Sequence, residues 1–169
     1  GTPKEDYTTY KERNPVGQYR RTFTLPAHWE GDGEVLLRFD GVMSAFYVWI
    51  NGEKVGYSQG SMEASEFNVT RYLQKGQNQI ALEVYRYSDG SYLEDQDFWR
   101  FGGIHRDITL IHTHKVAFRD YTVRTLPAKP GCYDDFILQV DPAFVVRQGE
   151  LGVGYRAKAE LKDMQGNVV

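Results

Sequence analysis

Apolar and polar positions alternate by twos along most of the chain, which is the period of a half-buried β-strand. In the segment "QYRRTFTL", the residues Tyr19, Phe23 and Leu25 fall on one face and polar residues fall on the other. The runs "EVLLRFDG" and "AFYVWI" are more continuously apolar and indicate more deeply buried strands. Because β-branched and aromatic residues, which favour strands, are also frequent, the pattern predicts an all-β protein.

A turn signal separates two of the predicted strands. Asn51-Gly52 is a dipeptide that accepts positive φ at both turn positions, so residues 46–50 and 55–59 are predicted to form a tight hairpin. The segments "QIALEVYRY" and "IHRDITLIHT" predict two further strands. The segment "SEFNVTRYL", residues 65–73, shows a modest and ambiguous helical pattern.

The spacing of the strands predicts two domains. Regular strands separated by Gly, Asn and Pro favour a jelly-roll β-sandwich, which we expect over residues 14–114 after a polar N-terminal arm at 1–13. Residues 115–169 hold three or four strand-like segments, whereas an immunoglobulin-type sandwich needs about seven. We therefore expect a partial β-sandwich at 115–169 and interpret the chain as a piece of a longer protein.

Composition and charge narrow the function classes. The chain has 169 residues, 41% hydrophobic and 25% charged, which is typical of a folded protein. Its net charge is -3 and no run of Lys or Arg marks a phosphate-binding face, so nucleic acid is not an expected partner. No apolar stretch approaches the roughly 20 residues of a membrane span. Cys132 is the only cysteine, which excludes an intrachain disulfide and leaves both cytoplasmic and exported locations open.

The segment "GSYLEDQDFWRFGGIHRD", residues 90–107, concentrates acidic, aromatic and glycine residues between two predicted strands. Residues 91–103 would form a long connection. A connection of this size in a compact domain is usually functional or packed by its own side chains. Composition alone leaves both interpretations open.

Four segments carry a resemblance to a known family: "NPVGQYRRTF", "FDGVMSAFYVWING", "VGYSQGSMEASEFNVT" and "YSDGSYLEDQDFWRFGGIHRDITLIH". In this order they closely resemble the N-terminal sugar-binding domain of glycoside hydrolase family 2, and in particular its bacterial β-galactosidases. The motif "YLEDQDFWR" is the most specific, because it separates this branch from the glucuronidase and mannosidase branches. Beyond Lys115 the resemblance rests mainly on the place of this segment in the order of domains along the family's chains.

The resemblance implies a galactose-binding-like jelly roll, then an immunoglobulin-like sandwich, then a catalytic (β/α)₈ barrel. Family members are retaining glycosidases that use two carboxyl groups about 5–5.5 Å apart. Both are barrel glutamates, so no catalytic residue is expected in this chain, and the chain alone is expected to be inactive. The parent is expected to hydrolyse terminal β-D-galactosides, to join this chain to further domains and to form a homo-oligomer.

The resemblance also implies a substrate-side residue. In the family a loop of this domain reaches the mouth of the barrel, where an aspartate of the "DQDFW" motif holds the galactosyl unit, partly through a bound Na⁺. By motif position that residue is Asp97, while Mg²⁺ binds elsewhere in the parent and neither ion is expected to be fully ligated by this chain. Glu94, Trp99 and Arg100 are expected to support the loop, and Arg106 to bond loop carboxylates or carbonyls. The alternative role for Trp99 is to stack on the face of a sugar ring.

Two other functions are compatible with the sequence. A free-standing carbohydrate-binding module would use the same jelly roll and aromatic loop, and a scaffold domain would serve subunit or domain contacts. Binding of a galactoside by the chain without a barrel would favour the module.

Overall fold

The alternating segments form eleven β-strands within residues 14–29, 33–94, 97, 99, 101–147 and 154–169, the parts of the chain that this computed structural model describes. The strands are β1 Val16–Thr24, β2 Glu34–Phe39, β3 Val42–Met43, β4 Ala45–Ile50, β5 Glu53–Gln59, β6 Ser65–Asn68, β7 Gln77–Tyr85, β8 Gly103–Ile104, β9 Ile108–Thr113, β10 Val116–Pro127 and β11 Phe136–Val146. A short helix, α1, spans Gly90–Leu93, and 3₁₀ turns occupy Ala27–Trp29 and Thr70–Tyr72. The predicted all-β class is confirmed.

The chain divides into two compact units, Gly1–Thr113 and His114–Val169. In the first unit, one antiparallel sheet has the order β1-β7-β4-β5 and a second has the order β6-β2-β9. The short strands β3 and β8 form a separate pair. Side chains from both larger sheets meet in one buried cluster, so the predicted β-sandwich is confirmed for this unit.

The core of the first unit follows directly from the alternation of β2 and β4. Val35, Leu37 and Phe39 of β2 are buried, while the residues between them are only half-buried. They pack with Phe46 and Val48 of β4 in the same cluster. Burial of such side chains stabilises the fold by roughly 1.5–3 kcal/mol each. The contact between β2 and β4, the central strands of the two sheets, therefore holds the two sheets together.

The hairpin prediction at Asn51-Gly52 is confirmed. Asn51 has a φ of 51° and Gly52 a φ of 85°, and β4 pairs with β5 across this turn. The Asn51 side chain adds stability, because its Nδ2 donates to the Tyr72 carbonyl at 2.8 Å and its Oδ1 accepts from the Gln79 amide at 2.9 Å. The hairpin turn is therefore bonded both to the 3₁₀ turn at Thr70–Tyr72 and to β7.

The modest helical pattern at residues 65–73 proved wrong for its first half. Residues 65–68 form β6, which pairs with β2, and the half-buried Phe67 packs on the core cluster. Only Thr70–Tyr72 winds into a 3₁₀ turn. Strand pairing and burial of Phe67 outweigh a weak local helical preference, because tertiary contacts override propensity in short segments.

The second unit contains a long antiparallel hairpin of β10 and β11, with a bulge between Phe118 and Asp120. Of the strand-like segments expected in 115–169, none forms a strand within the described residues 154–169. The backbone there forms a turn in which Asp163 Oδ1 accepts from the amides of Gln165 and Asn167. An isolated bridge joins Lys162 to Val168. The immunoglobulin-like assignment of this unit stays a prediction.

Candidate functional site

The connection between β7 and β8, residues 86–102, is named here the β7–β8 loop. Asn14 fixes its start, since Asn14 Nδ2 donates to the Tyr87 carbonyl at 2.6 Å and the Tyr87 amide donates to Asn14 Oδ1 at 3.1 Å. The Arg86 amide also donates to the Pro15 carbonyl. These bonds continue the pairing of β1 with β7 beyond the ends of the strands.

The first half of the β7–β8 loop is shaped by its own hydrogen bonds. The Ser88 amide donates to Ser91 Oγ at 3.0 Å, and the Ser91 amide donates back to the Ser88 carbonyl. Helix α1 follows, with Gly90 buried, and the Glu94 amide closes it by donating to the Gly90 carbonyl at 2.8 Å. The loop therefore leaves β7 as a compact helical turn.

Glu94, which ends this turn, is bonded to the connection between β5 and β6. Its carboxylate accepts the Ser61 hydroxyl at 2.6 Å and the Ser61 amide at 3.1 Å. Ser61 itself is only 2% exposed. The bonds attach the end of α1 to the sandwich, and sequence reasoning missed Ser61 because no local pattern marks a loop serine for this contact.

Arg106 bonds backbone carbonyls near the same end of the sandwich. Its Nη1 donates to the Met62 carbonyl at 2.9 Å and to the Asp40 carbonyl at 3.2 Å. Close by, Gly41 is packed so tightly that a Cβ there would lie 2.6 Å from His105 Nε2. Three connections of the first unit, at 40–41, 60–64 and 105–107, are thus held together beside the β7–β8 loop.

Asp97 and Trp99 lie further along the β7–β8 loop and are both exposed. Trp99 is 77% exposed and stacks on Phe101, with ring centroids 6.3 Å apart and planes 22° apart. The indole therefore presents most of its surface to solvent. Arg100, the third residue expected to support the loop, lies outside the described residues, and the expected roles of Asp97 and Trp99 stay predictions.

The described residues provide only part of what a cation site needs. Among them, no group of three or more His, Cys, Asp or Glu residues could hold a metal ion. Asp97 offers one exposed carboxylate, whose oxygens match the preference of hard cations. One exposed carboxylate does not by itself define a cation site, so the expected ligation of Na⁺ by Asp97 stays a prediction.

The loop also influences a neighbouring tyrosine. Burial raises the pKa of the Tyr57 phenol above its usual 10.0, and the charges of Tyr47 and Asp89 raise it further. Tyr57 OH donates to Gln59 Oε1 at 2.8 Å. Asp89, near the start of the β7–β8 loop, is thus a minor contributor to the raised pKa of Tyr57.

A β-sandwich that carries acidic and exposed aromatic side chains on a loop at one end is an arrangement suited to carbohydrate recognition. A family model described as "Glycosyl hydrolases family 2, sugar binding domain" matches residues 4–114, and the chain belongs to this family. Among the described residues, no helix has the length and apolar character that would cross a membrane.

Curated relatives agree with this assignment. The chain is 59% identical over 112 residues to a β-galactosidase from Priestia megaterium and 54% identical over 112 residues to one from Yersinia pestis. These matches cover 66% of this chain and 11% of each relative. The chain therefore spans about a tenth of the length of the curated relatives it matches.

Solved structures show the same fold. A β-glucuronidase from Bacteroides uniformis matches 67% of this chain and 14% of its own, with 30% identity and a TM-score of 0.59. A β-glucuronidase from an uncultured Clostridium species matches 94% of this chain and 28% of its own, with 23% identity and a TM-score of 0.68. The second likeness speaks for the fold alone.

Proposed function

We propose that this chain is the sugar-binding domain of a retaining glycosidase that hydrolyses terminal β-D-galactosides. The observation that carries the proposal is the 54–59% identity to β-galactosidases, against 30% to the β-glucuronidase from Bacteroides uniformis. The motif "YLEDQDFWR", which resembles the β-galactosidase branch, lies within the matched residues 4–114. In this proposal the partners are a β-galactoside, the remaining domains of the same chain and further copies of the protein.

The proposed task of this chain is to hold the substrate and not to break the bond. In a retaining mechanism one carboxyl group protonates the glycosidic oxygen and a second attacks the anomeric carbon. We assign both groups to a separate barrel. Asp97, exposed on the β7–β8 loop, would accept hydrogen bonds from hydroxyl groups of the galactosyl unit. Bonds to an ionised carboxylate are roughly twice as strong as neutral ones, so one residue contributes substantially to binding.

Asp97 would also supply one oxygen ligand to Na⁺. A bound cation at this position would neutralise the carboxylate and offer a positive charge to sugar oxygens. The chain's own contribution is the placement of the carboxylate on a loop that is tied to the sandwich through Glu94 and Ser61. The Mg²⁺ expected for the parent binds outside this chain.

The test is the Asp97→Asn substitution in the longer protein, with hydrolysis of a chromogenic β-galactoside measured while Na⁺ replaces K⁺ at constant ionic strength. Asparagine keeps the shape of the side chain and removes its charge. We expect kcat/KM to fall by about 100-fold and the dependence on Na⁺ to disappear. Asp89→Asn is the matched control, because Asp89 is exposed on the same loop and makes no side-chain cap bond to α1.

An Asp97→Asn enzyme with full activity and unchanged Na⁺ dependence would overturn the site assignment. Loss of activity in both variants would show that loop charge in general, and not Asp97, matters. Absence of β-galactoside hydrolysis in the unaltered protein would overturn the proposed reaction itself.

A carbohydrate-binding module is the second candidate, favoured by the stacked and largely exposed rings of Trp99 and Phe101. Such rings offer a flat apolar surface to a sugar. Calorimetric titration of the 169-residue chain with a β-galactoside decides between the two. Binding that is lost in Trp99→Ala favours the module, whereas binding seen only in the longer protein favours the proposed glycosidase.

A further inference from the structure

We infer that Ser61 is a positioning residue: together with Glu94 it fixes the β7–β8 loop and so sets where the Asp97 carboxylate meets the substrate. The inference rests on the proposed function. It adds a residue on a different connection, 33 positions away from Glu94 in sequence.

The contact has the geometry of a strong anchor. Ser61 is 2% exposed and offers its hydroxyl, at 2.6 Å, and its amide, at 3.1 Å, to the carboxylate of Glu94. The amide also lies 3.4 Å from the second carboxylate oxygen. Hydrogen bonds to an ionised acceptor are short and strong, and two donors from one residue restrict the carboxylate in direction as well as in distance.

The Ser61 side of the contact is itself held in place. Met62, the next residue, has its carbonyl bonded to Arg106 Nη1 at 2.9 Å, and the same nitrogen bonds the Asp40 carbonyl at 3.2 Å. Asp40 directly follows β2, the central strand of the second sheet. Ser61 therefore connects the β7–β8 loop, through bonds of the neighbouring Met62, to the end of the central strand β2.

The distance along the chain makes this anchor relevant to Asp97. Three residues of chain span at most about 11 Å, so the Asp97 Cα stays within this radius of the Glu94 Cα. On the far side of Asp97, the Trp99 side chain is 77% exposed. The Glu94 contact therefore limits how far Asp97 can lie from the sandwich, and misplacement of a contact group by about 1 Å can lower a rate by about 100-fold.

The experiment compares Ser61→Ala and Glu94→Gln with Glu63→Gln in the longer protein, each in the native and the Asp97→Asn background. Glu63 is an exposed carboxylate on the same connection as Ser61 and serves as the matched control. The readouts are kcat and KM for a chromogenic β-galactoside, the Na⁺ concentration at half-maximal activity, and the melting temperature.

In the native background we expect Ser61→Ala and Glu94→Gln to raise KM and the half-maximal Na⁺ concentration by about tenfold, with Glu63→Gln unchanged. In the Asp97→Asn background the same two substitutions should change KM by less than about twofold, because the group they position has already been altered. A merely stabilising contact would lower the melting temperature and leave KM and the Na⁺ dependence unchanged in both backgrounds.

The inference fails if Ser61→Ala and Glu94→Gln match Glu63→Gln in KM and Na⁺ dependence while Asp97→Asn is impaired; the proposed function then stands. It also fails if their effects are equal in the two backgrounds. An Asp97→Asn enzyme that equals the native protein overturns both proposals. Should Ser61→Ala not fold, Glu94→Gln decides alone, because Glu94 is exposed and its replacement keeps the size of the side chain.

Discussion

At the scale of single residues, asparagine side chains take the place of backbone hydrogen-bond partners in the first unit, and Asn14 and Asn78 are two examples. Asn14 pairs with both polar groups of the Tyr87 backbone. Asn78, 1% exposed, donates to the carbonyls of Gln74 and Gly76 and accepts from the Gln74 amide and from Asn51 Nδ2. A buried amide with this many partners fixes the turn before β7, because the Gln74 and Gly76 backbone groups are bonded to its side chain.

Asn78→Ala is expected to lower the free energy of unfolding of the first unit by about 2–3 kcal/mol, since it leaves several backbone groups of the turn unsatisfied. Gln79→Ala, at the exposed neighbouring position, should change it by less than about 0.5 kcal/mol. Urea unfolding followed by tryptophan fluorescence measures both, because all three tryptophans lie in the first unit. Equal midpoints for the two variants would show that the buried network contributes nothing.

At the scale of elements, β5 and β6 belong to different sheets and meet where a glycine faces an aromatic ring. A Cβ at Gly56 would lie 2.6 Å from Phe67 Cε1. Phe67 is held in turn by edge-to-face contacts with Phe39 and Phe46, at centroid distances of 5.9 and 6.0 Å. The ring cannot move away without disturbing the core, so the two sheets approach closely at this point only with glycine.

Gly56→Ala is therefore expected to destabilise the first unit by about 1–3 kcal/mol, measured by urea unfolding. Phe67→Leu alone should also destabilise it, because burial and ring contacts are lost. The double variant should be more stable than the sum of the two effects predicts, since the smaller side chain leaves room for the new methyl group. Simple additivity would contradict the close packing of β5 on β6.

At the scale of the whole molecule, the strands were predictable and the site was only partly so. The period of two in β2 and the Asn51-Gly52 turn are local signals, so they could be identified from the sequence. The contact between Ser61 and Glu94 could not, because it depends on how two separate connections meet at one end of the sandwich. Asp97 was found only through a family resemblance, since an exposed loop carboxylate has no distinguishing local pattern.

The stability of the first unit should also depend on pH through two tyrosines. Burial raises the pKa of Tyr57 and of Tyr85 above 10.0, and for Tyr85 the nearby Glu83 carboxylate raises it further. The protonated phenols are thus favoured in the folded state. Their contribution is complete below pH 10 and is lost as the pH rises through the raised pKa values.

Urea unfolding of the 169-residue chain at about pH 9 and about pH 11 tests this dependence. The midpoint of the tryptophan-detected transition should fall at the higher pH, and it should fall less in a variant with Tyr57→Phe and Tyr85→Phe. An equal fall in both proteins would show that other groups cause the loss.

The central claim is that the β7–β8 loop places the Asp97 carboxylate in contact with a bound galactoside. Its most direct test is a crystal structure of the longer protein with bound galactose and Na⁺. We expect an Asp97 carboxylate oxygen within about 3.2 Å of a sugar hydroxyl, or bonded to a Na⁺ that the sugar also contacts. The claim would be contradicted if, with galactose bound, the Asp97 side chain faced solvent or bonded only its own domain.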